Sequence, residues 1–176
     1  MTDLTRFIRD VPDFPRKGIV FKDITPMLLS PAAFQEAIRR LAGTVPKPDA
    51  VVAIESRGFI FGAGLALEWG VPLVPARKFG KLPGATVREV YSLEYGEDTL
   101  EIHRDALKAR QRVVILDDLL ASGGTAAATV RLVEQLGATV AALLFVIELK
   151  GLGGREALKP YPVHALLDYT VVEPRR

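Results

Sequence analysis

The sequence predicts an α/β domain, a mostly parallel twisted sheet flanked by helices, from three observations. The chain has 176 residues, a length that suits one domain with a sizeable core. The apolar runs at 50–54 and 112–116 are continuous, as expected of strands buried on both faces. Helical segments at 58–69 and 124–136 follow these runs. Strands that alternate with helices imply right-handed crossovers, with ligands at the carboxyl ends of the strands.

The first 30 or so residues predict an irregular arm laid on this domain. They are rich in Pro, Lys and Asp around an apolar patch at 18–21. Ser30 is then the predicted N-cap of a helix that has Pro31 in its first position. A single domain is expected over residues 1–176, with the arm as part of it.

Residues 77–103 predict a mobile lid followed by a hairpin. The segment 77–87 is basic and rich in glycine, as a loop that closes over an anion would be. The segments 90–95 and 99–103 alternate apolar and polar residues, which is typical of paired strands. Further strands are expected at 72–76, 139–147 and 163–167.

Composition excludes several classes of function. The formal net charge is only +2, so no nucleic-acid partner is expected. No apolar run reaches the ~18 residues of a membrane span and no apolar signal core is present, which predicts a cytoplasmic protein without a membrane partner. The lack of cysteine excludes disulfides and thiolate chemistry, and two histidines argue against a histidine-rich metal site. A metal would be a hard cation bound through carboxylate or substrate oxygens.

The segment 113–125 carries the clearest chemical signal. An apolar strand delivers Asp117 and Asp118 to its carboxyl end, and small and hydroxyl residues at 121–125 lead into a helix. Backbone N–H groups at a helix N-terminus favour an anion, and glycines allow its close approach. Carboxylates accept hydrogen bonds from vicinal sugar hydroxyls or bind a divalent cation. The segment therefore predicts a sugar-phosphate site.

The alternative for this segment is an acidic turn followed by an ordinary capped helix. Each part is common in proteins, but their combination in thirteen residues favours the site. The segment differs from a nucleotide-binding P-loop because no lysine follows the glycines, and its glycine spacing differs from the dinucleotide fingerprint.

Two other blocks fit a pyrophosphate. Ser56 and Arg57 follow a buried strand and open a helix, so they offer backbone N–H groups and one guanidinium. Arg77, Lys78 and Lys81 lie in the predicted lid, which would also exclude water from a reactive sugar carbon. The alternatives are an ordinary surface arginine and a solvated basic loop.

With these blocks in place, the sequence resembles the type I phosphoribosyltransferases. The resemblance extends from about Phe7 to Leu167. It implies a non-proline cis peptide bond before the serine of the 56–59 block, which family members often have. The blocks that carry it, in order, are 13–15, 18–24, 56–59, 77–84, 91–96 and 113–125.

The resemblance assigns roles to individual residues. It implies that Glu94 handles the N7 proton of the base, with Tyr95 in the lid. Asp117 and Asp118 hold the ribose, and the Mg²⁺ cofactor is bound through the substrate, with these two carboxylates as further candidate ligands. The implied 5′-phosphate residues are Ala121, Ser122, Gly123, Gly124 and Thr125. The implied pyrophosphate residues are Ser56, Arg57, Arg77, Lys78 and Lys81. The implied contacts to the base, adenine, are Val20, Phe21, Lys22, Leu119 and Leu149.

Some of these roles have plain structural alternatives. Glu94 could be an exposed hairpin glutamate, and Phe21 could be a core residue. The family has arginine where this chain has Lys22, which matters only if the side chain, and not the backbone, reads the base.

The implied reaction is transfer of 5-phosphoribosyl from 5-phosphoribosyl 1-pyrophosphate to adenine, giving AMP and pyrophosphate, by a homodimer. Two rivals stay open. One is transfer to another base, such as xanthine, hypoxanthine or orotate. The other is a regulator without enzyme activity that senses the donor.

Overall fold

The computed structural model describes residues 2–92 and 96–171 of the chain. Its elements, in chain order, are a 3₁₀ helix (Leu4–Phe7), β1 (Arg9–Pro12), β2 (Val20–Asp23), α1 (Thr25–Leu28), α2 (Pro31–Ala42), β3 (Ala50–Ile54), α3 (Gly58–Trp69), β4 (Leu73–Lys78), β5 (Thr86–Ser92), β6 (Glu97–His103), β7 (Arg112–Leu120), α4 (Gly124–Gln135), β8 (Thr139–Lys150), α5 (Gly154–Ala157) and β9 (Val163–Thr170).

The main sheet contains seven strands within the described residues, in the order β5-β6-β4-β3-β7-β8-β9. The strands from β4 to β9 along this order pair in parallel, whereas β6 pairs antiparallel with both β4 and β5. The mostly parallel α/β fold is confirmed. The carboxyl ends of β3 and β7, which are direct neighbours, therefore meet at one edge of the sheet.

Both faces of the sheet are buried, which explains the continuous apolar runs. Along β7, Val113 and Ile115 face the core layer under α4, and Val114 and Leu116 face the layer under α2 and α3. All four side chains have no exposed surface. Because the strands are closely packed on both faces, they hold the polar residues at the sheet edge in fixed positions.

Two predicted boundaries next to the site are wrong. The strand expected at 112–116 continues to Leu120, because β8 pairs with it as far as Leu120↔Glu148. The loop expected at 77–87 is shorter, because residues 77–78 and Thr86 pair with β6. The hairpin itself is confirmed, with pairs from Thr86↔His103 to Ser92↔Glu97.

The N-terminal arm is more regular than expected. β1 and β2 form a separate two-stranded antiparallel sheet, called the ribbon here (residues 9–23). Arg9 pairs with Asp23 at 2.6 Å, and Lys22 pairs with Asp10 at 2.7 Å. These cross-strand ion pairs join residues fourteen and twelve positions apart, which is why the sequence pattern alone does not reveal them.

Candidate functional site

Arg57 lies in a cleft at the carboxyl edge of the sheet. It occupies the N-cap position of α3, and the Glu55–Ser56 peptide bond before it is cis, as the resemblance implied. Its Nε lies 2.8 Å from Asp118 Oδ2, and its guanidinium carbon lies 4.8 Å from the centroid of the Phe21 ring. Its Nη1 is buried and has no hydrogen-bond partner among the described residues. A buried N–H without a partner costs free energy, so this guanidinium is suited to receive an anion.

Asp117 and Asp118 lie inside β7 and line a cavity of about 370 Å³ together with Ser56 and Arg57. Asp118 is only 4% exposed. Asp117 Oδ1 accepts a hydrogen bond from the backbone N–H of Asp118 at 2.8 Å. The pair is therefore held rigidly at the inner wall of the cavity.

Burial shifts the titration of both carboxyls. It raises the pKa of Asp117 well above its ordinary value, and the charge of Asp118 raises it further. Burial also raises the pKa of Asp118, although the nearby Arg57 opposes this shift. Two crowded carboxylates of this kind favour positive charge in the space beside them.

The glycine loop, residues 121–125, connects β7 with α4. Gly123 is the N-cap residue of α4 and has a φ of +84°. Residues 121–126 line a second, smaller cavity of about 90 Å³ with Asp117 and Phe145. Since α4 has twelve residues, its N-terminal N–H groups and dipole favour an anion in this space. The structure thus brings the glycine loop and Asp117 to adjoining cavities.

The three predicted pyrophosphate cations of the 77–81 segment fall into two groups. Lys78 lines the larger cavity, and its Nζ lies 3.1 Å from Asp98 Oδ2, which raises the pKa of Lys78. Arg77 and Lys81 are not among the described residues that line this cavity, and Arg77 Nη1 donates to the Lys81 carbonyl oxygen at 2.9 Å. Glu55 accepts from Arg77 Nε at 3.2 Å and from the Lys78 backbone N–H at 2.9 Å.

Phe21 reaches from the ribbon to Arg57, which lines the cavity. It packs edge to face on Phe14, with ring centroids 5.2 Å apart. The Lys22 ammonium is held by Asp10 and lies 4.0 Å above the Tyr169 ring. The side chain of Lys22 is thus occupied by partners within the protein.

We expect acid to loosen the ribbon through Asp23. Hydrogen bonds from the Thr25 side chain and backbone, with help from Arg9, lower the pKa of Asp23 to about 2. A folded-state pKa below the unfolded value means that ionised Asp23 stabilises the fold above pH ~4, and that this stability is lost as the pH falls toward 2. Asp23→Asn should therefore lower the melting temperature at pH 7 by about 2–4 °C, equivalent to about 1 kcal/mol. The difference between the two proteins should shrink below pH 4 in thermal denaturation curves; a constant difference would contradict this role.

Two of the predicted base contacts lie apart. Leu119 lines the larger cavity, whereas Leu149 lines a neighbouring cavity of about 360 Å³ between β8 and α5. Val20 is 47% exposed on the ribbon. The joint role of these residues in one base site stays a prediction.

Glu94 and Tyr95 lie outside the described residues, so their predicted roles stay predictions. The described part of the hairpin contributes three cavity residues that the sequence did not single out, Tyr91, Asp98 and Leu100. The Tyr91 hydroxyl donates to Asp98 Oδ2 at 3.3 Å. In the sequence Asp98 follows a Gly-Glu pair, which predicts a turn residue. Only the cross-strand pairing of the hairpin shows that Asp98 lies at the cavity.

Between residues 2 and 92 and between 96 and 171, no helix combines the length and apolarity needed to cross a bilayer. The same residues contain no cluster of three or more His, Asp or Glu side chains suited to a metal. The Asp117–Asp118 pair offers hard oxygen donors that fit Mg²⁺ if ligand oxygens or water complete its coordination.

Comparison with known proteins agrees with this geometry. The family model described as "Phosphoribosyl transferase domain" matches residues 27–162. An adenine phosphoribosyltransferase of Carboxydothermus hydrogenoformans is 56% identical over 169 residues, which cover 95% of this chain and 99% of the relative. One from Thermotoga petrophila is 54% identical with the same coverage.

Solved structures give the same result. The crystal structure of adenine phosphoribosyltransferase from Thermoanaerobacter pseudethanolicus has a TM-score of 0.91 and 50% identity, and covers 94% of this chain and 98% of its own. The Saccharomyces cerevisiae enzyme, crystallised with adenine and an imino-altritol bisphosphate, has a TM-score of 0.88 and 44% identity, with coverage of 93% and 96%. The chain belongs to the phosphoribosyltransferase family and, within it, to the adenine phosphoribosyltransferases.

Proposed function

We propose that this enzyme transfers the 5-phosphoribosyl group of 5-phosphoribosyl 1-pyrophosphate to adenine, giving AMP and pyrophosphate. The observation that carries the proposal is the meeting of Asp117, Asp118 and Arg57 in one cavity beside the glycine loop. A sugar that is phosphorylated at one end and pyrophosphorylated at the other needs an anion site on each side of a hydroxyl-binding carboxylate pair. The two adjoining cavities supply these three parts, which are the glycine loop for the phosphate, the acidic pair for the sugar hydroxyls and Arg57 for the pyrophosphate.

The donor would lie along the carboxyl edge of β3 and β7. Its 5′-phosphate accepts hydrogen bonds from the backbone and hydroxyls of the glycine loop (residues 121–125). Its ribose hydroxyls donate to Asp117 and Asp118. Its pyrophosphate is held by the Ser56 turn, by the partnerless Nη1 of Arg57 and by Lys78. Arg77 and Lys81 add positive charge.

Mg²⁺ fits this cavity for an electrostatic reason. The acidic and basic side chains among the described residues that line it are those of Arg57 and Lys78 and those of four carboxyl residues, Glu55, Asp98, Asp117 and Asp118. A polyanionic donor would meet repulsion there without a counter-ion. Asp117 and Asp118 would hold Mg²⁺ together with donor oxygens, and the ion supplies charge neutralisation of the departing pyrophosphate.

The chemical step would be a substitution at the sugar carbon C1. The bond to pyrophosphate breaks with the electron pair going to the leaving oxygen, and a bond from adenine N9 forms. Asp117 and Asp118 stabilise positive charge on the sugar while the first bond breaks ahead of the second. Glu94 accepts the proton that adenine loses from N7 as N9 bonds to the sugar carbon. Near-normal turnover of Glu94→Gln would contradict that last role.

Adenine would be held between the ribbon and the sheet edge. Phe21 offers a stacking surface next to Arg57, and backbone groups of Val20 and Lys22 can read the edge of the base. Leu119 lies on the opposite wall, and Leu149 is nearby on β8. Because the Lys22 ammonium is engaged by Asp10, its replacement of arginine should leave the preference for adenine unchanged.

The decisive experiment is steady-state AMP formation from adenine and the donor with Mg²⁺, with hypoxanthine, xanthine, guanine and orotate tested in parallel. Turnover with adenine alone supports the proposal. Turnover with another base would leave the donor site intact and overturn the assignment of the base. Donor binding without turnover on any base would favour the regulator.

We also propose that the enzyme is a cytoplasmic homodimer. The described surface of α3 and β4 exposes apolar side chains, among them Leu67 at 84%, Ile60 at 40% and Leu73 at 39%. Leu67 and Leu73 line one shallow surface cavity, and exposed apolar side chains that lie together favour association. Sedimentation of the parent and of Leu67→Glu should give a dimer and a weakened dimer, whereas a monomeric parent would exclude this assembly.

A further inference from the structure

Glu101 is a buried carboxylate to which the proposed reaction assigns no role. It lies in β6 and is only 1% exposed. On either side of it, β4 and β5 present arginines in register, Arg77↔Glu101 and Arg88↔Glu101. A charge is almost never buried to this degree unless it has partners.

The partners of Glu101 come from one short segment. Oε1 accepts hydrogen bonds from the backbone N–H of Gly80 at 3.0 Å and of Leu82 at 3.2 Å. Oε2 accepts from Thr86 Oγ1 at 3.1 Å, and Arg88 Nε lies 3.4 Å from it. Burial would raise the pKa of Glu101, but the hydrogen bonds from Leu82, Thr86 and Gly80 hold it below its usual value. Glu101 is therefore ionised near neutral pH.

The two backbone donors flank Lys81. Gly80 precedes it and Leu82 follows it, so the single carboxylate oxygen Oε1 fixes the chain on both sides of this lysine. From the other direction, Arg77 Nη1 donates to the Lys81 carbonyl oxygen, and Glu55 holds Arg77. The backbone of Lys81 is thus clamped between two carboxylate-centred networks.

We propose that Glu101 is the positioning residue for pyrophosphate, because its buried carboxylate fixes the direction in which the segment 80–82 presents Lys81. This inference rests on the proposed function, in which Lys81 adds positive charge to the pyrophosphate site. Glutamine at this position would keep the size of the side chain. It would replace one acceptor oxygen with an NH₂ donor and remove the charge that orders the backbone N–H groups.

The test is Glu101→Gln, measured by the KM of each substrate and by pyrophosphate binding in calorimetry. The KM of the donor and the Kd of pyrophosphate should rise on the order of tenfold, because hydrogen bonds to an ionised group are lost. The KM of adenine and the Kd of AMP should stay within about twofold of the parent, since neither contacts this segment. Equal rises in all four constants would mean general damage and would overturn the inference.

A double-mutant cycle with Lys81→Ala separates positioning from stability. If Glu101 acts through Lys81, Glu101→Gln should add little to the pyrophosphate Kd of Lys81→Ala, whereas a purely structural role would give additive effects. Should Glu101→Gln fail to fold, Thr86→Val removes one donor to the same carboxylate and should shift pyrophosphate binding in the same direction by a smaller factor. An unchanged pyrophosphate Kd in Thr86→Val and in a folded Glu101→Gln would refute the inference.

These outcomes are distinct from failure of the proposed function. A parent enzyme that turns over adenine while Glu101→Gln binds pyrophosphate normally would overturn the role of Glu101 alone. A parent that lacks turnover would overturn the proposed function, and direct pyrophosphate binding would still test Glu101.

Discussion

Replacing Asp117 and Asp118 together by asparagine is expected to lower kcat/KM for the phosphoribosyl donor on the order of 10²–10³-fold. The magnitude is that of removing one preorganised group that stabilises transition-state charge in a water-poor site. Both side chains line the main cavity, and Asp118 is buried beside the Arg57 guanidinium. Their loss removes the acceptors for the ribose hydroxyls and the negative charge that favours a cationic sugar.

The single variants should separate these contributions. Asp118→Asn removes the charge that pairs with Arg57 Nε at 2.8 Å, so it should disturb pyrophosphate binding as well as turnover. Asp117→Asn should affect turnover and donor binding while leaving that ion pair in place. Initial rates over a matrix of both substrates give the required constants.

Asp168→Asn is the matched control for the acidic pair. It removes a carboxylate from β9 of the same sheet, where the side chain is 57% exposed and pairs with Lys150. An exposed pair of this kind is worth little, so its kinetics should equal those of the parent. Donor kinetics in the double variant as good as in the control would contradict the ribose role.

Gly123→Ala is expected to abolish tight binding of the 5′-phosphate. The residue has a φ of +84°, and an added Cβ would lie 2.9 Å from the Gly154 carbonyl oxygen and 3.2 Å from the Ala157 Cβ. The backbone cost is about 1–2 kcal/mol, and overpacking adds about 1–3 kcal/mol. If the glycine loop moves to relieve this strain, the Kd of AMP and of the donor should rise on the order of 10²-fold. This factor follows from the free-energy cost, because about 1.4 kcal/mol corresponds to a tenfold change in Kd.

Gly70→Ala isolates the backbone part of that effect. Gly70 ends α3 with a φ of +60°, and an added Cβ there would meet no atom within 4 Å. This variant should have a lower melting temperature than the parent but the same affinity for AMP. Equal AMP affinities in the two glycine variants would show that the glycine loop does not hold the phosphate, and calorimetric titration distinguishes the cases.

Local sequence signals predicted the central part of the molecule. The predicted bounds of β3 and α3 agree with the structure, because a continuous apolar run and a helix after it leave no other arrangement for Ala50–Ile54 and Gly58–Trp69. The acidic pair and the glycine loop were also predictable, since their residues are contiguous. The cavity at the edge of β3 and β7 joins the acidic pair and Thr125 to Ser56 and Arg57, and the binding roles of these residues stay predictions.

The features that the sequence did not reveal depend on pairing between distant residues. The ribbon forms through ion pairs such as Arg9–Asp23. β7 extends through Asp118 because β8 lies beside it, which no property of residues 117–120 indicates. Asp98 and Glu101 gain their positions from the hairpin register. Polar residues on an antiparallel hairpin look like solvent-facing residues until their cross-strand neighbours are known.

The ribbon has a consequence for how this enzyme can evolve. It folds as its own small sheet and contacts the rest of the chain through a few side chains, including Phe21 over Arg57 and Lys22 over Tyr169. The acidic pair and the glycine loop belong instead to the main sheet. With the ribbon in its proposed role of reading the base, substitutions in residues 9–23 are expected to change the choice of acceptor without altering the donor site, so that the two properties can evolve separately.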